Sequence, residues 1–420
     1  MRNQIGWMLL LSILLLSVPA INAAEQDQSP SKREILQEGD RIVFIGNTFA
    51  DQLRLYNYLE TLLTAQAPVS KLSFRNLAWS GDTLTLQPRP LNFGSLDDHL
   101  TAEKADVIIT CFGMNESFAG PSEVKAYREH WEQFLKHLKS KKYNGSSAPR
   151  VVILSPIAHE NMGSPLPDPA DHNQSLAAYT KTMQSVAEEH QLPFVDLYHA
   201  TSRLMEANPS QKLTHNGIHL NQYGYWAVSQ LIADSLLAKE VTSPQLVIDL
   251  KSQNIETTNA AVTQQKLKSD QIEFTVKPLL LPIPAPPEGA ISDSDLLARQ
   301  PRLSVKQLPE GNYRLVVGGT VIVTGSASDW DRGIVLLNLP SQVQVADLRS
   351  TINRKNELFF YVYRAHNAEY IFGRRTKPFG AVSFPPEMET FDELIQSREK
   401  TIQEQARPIE AAKWELIRVD

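Results

Sequence analysis

The chain has a single cysteine, Cys111, in 420 residues, so no internal disulfide can staple the fold. It has no excess of positive charge. Its 41 basic against 47 acidic residues leave a net charge of −6, which argues against nucleic acid or an anionic membrane as the main partner. Past residue 24 no apolar run is long enough to cross a bilayer, so no span is expected in the rest of the chain. No repeat is evident, which excludes a solenoid or propeller. The histidines and carboxylates recur at no metal-ligand spacing, and Asp293 and Asp295 lack the glycine and closing glutamate of a calcium loop. No metal and no cofactor are expected.

What is present is ordinary globular composition, 42% hydrophobic and 21% charged. The length exceeds one ordinary core and predicts two or three domains. Residues 1–24 stand apart: Arg2, an apolar stretch from Met8 to Val18, then small residues up to Ala24. This is the pattern of a secretory signal peptide, with a single membrane anchor as the other reading. The expectation is a secreted or periplasmic protein, compatible with one thiol and no disulfide.

Strand-like and helix-like segments then alternate. Residues 41–45, 72–78, 105–111, 151–154 and 193–197 read as strands, and 51–66, 121–142, 176–190 and 222–238 as helices. The helix over 121–142 is the clearest, with Val124, Tyr127, Trp131, Phe134 and Leu138 on one face. Five strands alternating with helices predict an α/β domain over 36–240, with a parallel five-stranded sheet between helix layers. The texture changes near Val241. Strands are expected over 245–250, 271–277 and 302–308, and Gly318-Gly319 marks a two-residue hairpin, giving a small β-rich domain over 243–335. Residues 341–420 read as a helical C-terminal region. The aromatic run Phe359, Phe360, Tyr361, Tyr363, Tyr370 and Phe372 suits packing between domains.

The polar residues worth singling out lie beyond strand ends, where an α/β sheet opens a crevice. Thr48 follows the first strand, on a turn that leads into a helix; a helix cap is its plainer role. The Gly81 N–H follows the second strand and the Asn115 amide the third. Asn216 and His219 lie in the loop before the last helix. Asn47, Glu160 and Asn161 are candidate substrate contacts. A nucleophile, a base, a group that orients the base and two oxyanion donors are the roles a hydroxyl-dependent ester hydrolase must fill.

In four blocks the chain resembles the SGNH, or GDSL-type, hydrolase family over residues 40 to 238. Gly46-Asn47-Thr48-Phe49 stands where the family has Gly-Asp-Ser-Leu, and Ser80-Gly81-Asp82-Thr83 matches the block of the glycine donor. Gly113-Met114-Asn115 matches the block of the asparagine donor, and Asn216-Gly217-Ile218-His219 stands where the family has Asp-x-x-His. The resemblance implies a flavodoxin-like three-layer sandwich and a metal-free site that hydrolyses esters such as acetylated sugars or lipids. It implies Thr48 as nucleophile, His219 as base, Asn216 as its orienter, and Gly81 and Asn115 as oxyanion donors. Acetylated polysaccharide is the substrate expected on this reading. Two departures fall on the chemistry, Thr48 for serine and Asn216 for aspartate. They motivate a second reading, a catalytically impaired relative that keeps the crevice to bind glycan or serve as an interaction module.

Overall fold

The computed structural model describes residues 35–89, 93–268, 271–290, 294–364 and 384–419. The expected signal segment, Asp293, Tyr370 and Phe372 lie outside them.

Five strands form the first sheet: β1 (Arg41–Gly46), β2 (Ser73–Asn76), β3 (Val107–Cys111), β4 (Arg150–Leu154) and β5 (Phe194–Val195). They pair in the order β2-β1-β3-β4-β5, every pair parallel. Each is the site-facing arm of a crossover, so its neighbours must lie on both faces. Residues in β1 alternate accordingly. Ile42 and Phe44 enter one buried cluster with α1 (Thr48–Tyr56), α2 (Tyr58–Gln66) and α7 (Gln222–Leu236). Val43 and Ile45 enter another with α4 (Val124–Lys139) and α5 (Ala170–Glu189). Tyr127, Trp131, Leu135 and Leu138 are the buried stripe of α4. Helices α3 (Leu96–Ala102) and α6 (Leu197–Ala207) complete the layers. The sheet is the flavodoxin-like arrangement expected.

The helix expected over 51–66 is broken. Asn57 adopts φ 51, a left-handed conformation that asparagine tolerates better than most residues, and ends α1 before α2 begins. Its amide donates to the Arg54 carbonyl at 2.6 Å and to Asn353 Oδ1 at 2.8 Å, so the break is fixed by a partner almost 300 residues away in the chain.

The β-rich part holds two sheets around one core. One runs β13 (Ile334–Val335), β10 (Arg302–Lys306), β6 (Gln245–Asp249), β7 (Asn254–Thr258). The other runs β12 (Thr320–Ser326), β11 (Asn312–Val317), β14 (Ala412–Arg418), β9 (Gln271–Pro278), β8 (Ala260–Lys268). Gly318 and Gly319, at φ 55 and 87, make the β11–β12 hairpin expected from the sequence. Short helices α8 (Ser294–Ala298) and α9 (Ala327–Arg332) connect the strands. Trp330, Trp414, Phe274 and Leu315 fill the space between the sheets.

The C-terminal region is not purely helical. After α10 (Pro340–Tyr363) and α11 (Phe384–Gln405), the chain returns as β14 between β11 and β9, an interior strand of the second sheet. A division at residue 335 therefore fails, because the β-rich core needs residues from both sides of it. Helix α10 also packs on the first domain. Lys355 Nζ donates to Glu60 Oε1 at 2.6 Å in a fully buried pair, and Asn356 Nδ2 donates to Glu60 Oε2 at 2.7 Å. Among the described residues no helix is long and apolar enough to cross a membrane.

Candidate active site

Block one is shaped by Gly46. At φ 136 its missing Cβ would stand 2.2 Å from the Cys111 carbonyl oxygen, so no larger residue fits where β1 meets β3. The chain then turns, and Asn47 caps α1 by accepting the Phe49 N–H at 3.1 Å. Asn47 therefore performs the capping that Thr48 could have performed. Thr48 is the first residue of α1, half-buried, and its hydroxyl forms no hydrogen bond to another described residue.

Blocks two and three are tied together. Asn115 Nδ2 donates to the Asp82 carbonyl at 3.0 Å, which holds the asparagine beside the turn that carries Gly81. Glu116, unnoticed in the sequence, makes a second tie: it accepts Leu84 N at 3.0 Å and Gly113 N at 2.8 Å. Gly81 itself is exposed, at φ 91. The turn is also held from behind. Ser80 Oγ donates to Asp51 Oδ2 at 2.6 Å, Arg364 Nη2 donates to Asp51 Oδ1 at 2.9 Å, and Tyr363 Oη donates to the Leu77 carbonyl at 2.9 Å.

Block four hangs on Glu160. Its carboxylate is buried and accepts Leu213 N at 3.2 Å, Thr214 N at 2.8 Å and Thr214 Oγ1 at 2.6 Å. The expectation that Glu160 touches substrate is corrected: it does not line the pocket described below, and its bonds fix the loop before His219. Asn161 is exposed and accepts Gly163 N at 2.9 Å within its own turn, outside the pocket described below. Gly217 leaves room for His159, whose Nε2 would meet a Cβ there at 2.7 Å. His159 in turn contacts His172 through their Nδ1 atoms at 3.0 Å, and His172 Nε2 lies 2.8 Å from Ser117 Oγ. Burial, and secondarily the His159 ring, lower the His172 pKa to about 4. The ring is neutral near pH 7.

The contact between Asn216 and His219 decides a proton. Asn216 Oδ1 accepts the N–H groups of Ile218 at 3.3 Å and His219 at 2.9 Å. Its amide nitrogen therefore faces His219 Nδ1, at 2.9 Å, and donates to it. Burial, and then neighbouring His215, lower the His219 pKa, so the ring is neutral and its proton sits on Nε2.

Thr48, Asn115 and His219 line one pocket, together with Asn47, Met114 and Ile157. Its enclosed cavity volume is about 20 Å³, room for a methyl-sized group, and the pocket opens to solvent beyond that space. Cys111 also lines it, with a thiol whose pKa burial pushes far up, so it is no nucleophile. Gly81 stands outside this lining and reaches the site only through the turn that Asn115 holds. Among the described residues no group of three or more His, Cys, Asp or Glu side chains is set to hold a metal.

A family model, the GDSL-like lipase/acylhydrolase family, matches residues 39–227. No curated protein matches the chain. Among solved structures, BT4096, a gut microbial diltiazem-metabolizing enzyme, is similar over 93% of this chain and 100% of its own, with a TM-score of 0.70 at 17% identity. That likeness extends the shared fold through the β-rich and C-terminal parts. The acetylxylan esterase Axe2 from Geobacillus stearothermophilus is similar over 48% of this chain and 96% of its own, with a TM-score of 0.38 at 16% identity. A lipase/acylhydrolase from Enterococcus faecalis is similar over 47% of this chain and 96% of its own, with a TM-score of 0.36 at 20% identity. With four ordered blocks at the strand ends of a flavodoxin-like sheet, the domain of residues 39–227 belongs to the GDSL-like lipase/acylhydrolase, or SGNH, family of ester hydrolases.

Proposed function

We propose that the protein is an exported hydrolase of small acyl esters, with O-acetylated carbohydrate as its substrate class. The observation that carries this reading is one pocket that gathers Thr48, Asn115 and His219 from three separate segments of the chain. Its small volume favours a short acyl group. Carbohydrate as the alcohol follows from the family resemblance, and export from the character of residues 1–24.

In this reading the Thr48 hydroxyl oxygen attacks the acyl carbon and its proton passes to His219 Nε2. The Asn115 amide, which lines the pocket, holds the oxyanion, and the Gly81 N–H, outside that lining on the turn tied to Asn115, is the second donor implied by the family resemblance alone. The protonated ring then gives its proton to the leaving alcohol oxygen, and water cleaves the acyl-threonine by the same route. Base catalysis needs a lone pair on Nε2, hence the Nδ1–H tautomer, which sets two donors against each other at Asn216. Leaving such a donor unsatisfied costs about 1–3 kcal/mol. The reactive tautomer is therefore a minor one and turnover is slow. Asn216 orients the ring without stabilising the imidazolium.

Hydrolysis of an activated aryl acetate by the protein, beside Thr48→Ala, Thr48→Ser and His219→Ala, tests the proposal. Slow turnover that vanishes in both alanine variants is expected, with an increase in Thr48→Ser. Turnover unchanged by Thr48→Ala or His219→Ala would overturn the assignment.

A further inference from the structure

The resting tautomer of His219 changes what its pocket offers. Asn216 Oδ1 is engaged by two backbone N–H groups, at 3.3 and 2.9 Å. A flipped amide would set donor against donor at both, so the amide orientation is fixed by the backbone and not by the ring. His219 Nδ1 accepts from it at 2.9 Å, and Nε2 carries the hydrogen. Two more donors line the same pocket. The Thr48 hydroxyl has no partner among the described residues, and Asn115 Nδ2 keeps one hydrogen after donating the other to Asp82 at 3.0 Å. Asn47 Oδ1 already accepts the Phe49 N–H. The lining contains no aspartate or glutamate. It lies at the N-terminal end of α1, where the helix field favours negative charge.

We propose that the resting pocket is a binding site for a small carboxylate anion, held by the His219 Nε2–H, the Asn115 amide and the Thr48 hydroxyl. A carboxylate has two oxygens with about four acceptor positions, and N–H and O–H donors to an anion form the stronger class of hydrogen bond. The apolar wall, Met114 and Ile157, suits a short alkyl group such as the methyl of acetate. The choice of acetate as probe rests on the ester-hydrolase reading; the donor set does not. In the family pattern an aspartate at position 216 would draw the imidazole proton to Nδ1 and turn a lone pair into the pocket. The asparagine reverses that polarity, exchanging a base for a donor.

The test titrates sodium acetate into the protein by calorimetry, with acetamide as the neutral analogue of the same shape. In parallel, 15N NMR of histidine-labelled protein reads which nitrogen of His219 carries the proton. The expected results are binding of acetate, at least tenfold weaker binding of acetamide, and the proton on Nε2. Asn216→Asp is expected to move the proton to Nδ1 and weaken acetate binding by tenfold or more. Asn115→Ala is expected to weaken acetate binding while leaving the proton on Nε2. A proton on Nδ1 in the parent protein, absence of acetate binding, or acetate affinity unchanged in both variants would overturn the inference. None of these readouts needs turnover. A protein inert toward aryl acetates that still binds acetate in this way would refute the hydrolase reading alone, and an active protein that ignores acetate would refute this inference alone.

Discussion

Replacing Asn216 by aspartate would keep the two backbone bonds to Oδ1 and exchange the remaining amide donor for an acceptor. The His219 proton would then move to Nδ1 and the lone pair to Nε2, where the Thr48 proton has to go. In serine proteases the reverse exchange lowers the rate by about 10⁴. Asn216→Asp is therefore expected to raise kcat toward an aryl acetate by about 10²–10⁴, and a steady-state comparison checks it. The gain is expected to depend on His219 and to disappear in the double variant Asn216→Asp/His219→Ala. A second single-residue lesson is Glu160. As a charged group beside a histidine at a strand end, it has the profile of a substrate contact in sequence. Burial and three bonds to Leu213 and Thr214 make it a support for the loop.

Between elements, the site depends on loops held by groups from other segments. The first turn of α5 presents His172 to Ser117 on the β3 loop and to His159 on the β4 loop. That junction is built for neutral rings, because burial holds the His172 pKa near 4, below its ordinary value of 6.5. Between those two pH values the unfolded chain binds the proton and the folded one does not, so stability rises with pH across the window. The contribution is fully present above about pH 6.5 and is lost as the pH falls toward about 4. Denaturant midpoints across this range are expected to fall with pH, and less so in His172→Gln. The end of α10 makes a similar junction. Arg364 and Tyr363 bond Asp51 and the Leu77 carbonyl, so a helix from the far end of the chain stands behind the Gly81 turn.

For the whole molecule, the first domain and the rest share a buried charge. Lys355 is 1% exposed and Glu60 6%, and the pair is completed by Asn356 and the Phe74 carbonyl. Breaking a buried pair from one side leaves an uncompensated ion, at a cost of about 3–5 kcal/mol. Lys355→Met is expected to destabilise the protein by that amount in equilibrium unfolding, and Glu60→Gln in the same background is expected to recover part of it. A loss confined to a separate transition of residues 241–420 would contradict the shared core. Strand β14 points the same way, since the β-rich sheet closes only after the chain has passed through α10 and α11.

Several features are encoded by neighbours in sequence and were legible there. The alternation of strand and helix follows from local apolar periodicity, the β11–β12 hairpin from two adjacent glycines, and the crevice from polar blocks placed after each apolar run. Parallel pairing followed from that alternation, because a strand–helix–strand unit has few other ways to bury both faces. What the sequence by itself determined is thus the layer architecture; of the residues singled out beyond the strand ends, Asn47, Thr48, Asn115 and His219 line one pocket, and Gly81, Glu160, Asn161 and Asn216 do not. Only the tertiary structure decided how those residues are used. Asn57 breaks α1 from α2 with the help of Asn353, Glu160 turns inward because Thr214 and Leu213 offer it donors, and β14 joins strands far from it in the chain. The His219 proton is the sharpest case. An asparagine in the family's aspartate position leaves both tautomers open until two backbone N–H groups orient its amide, and that orientation exists only in the folded loop.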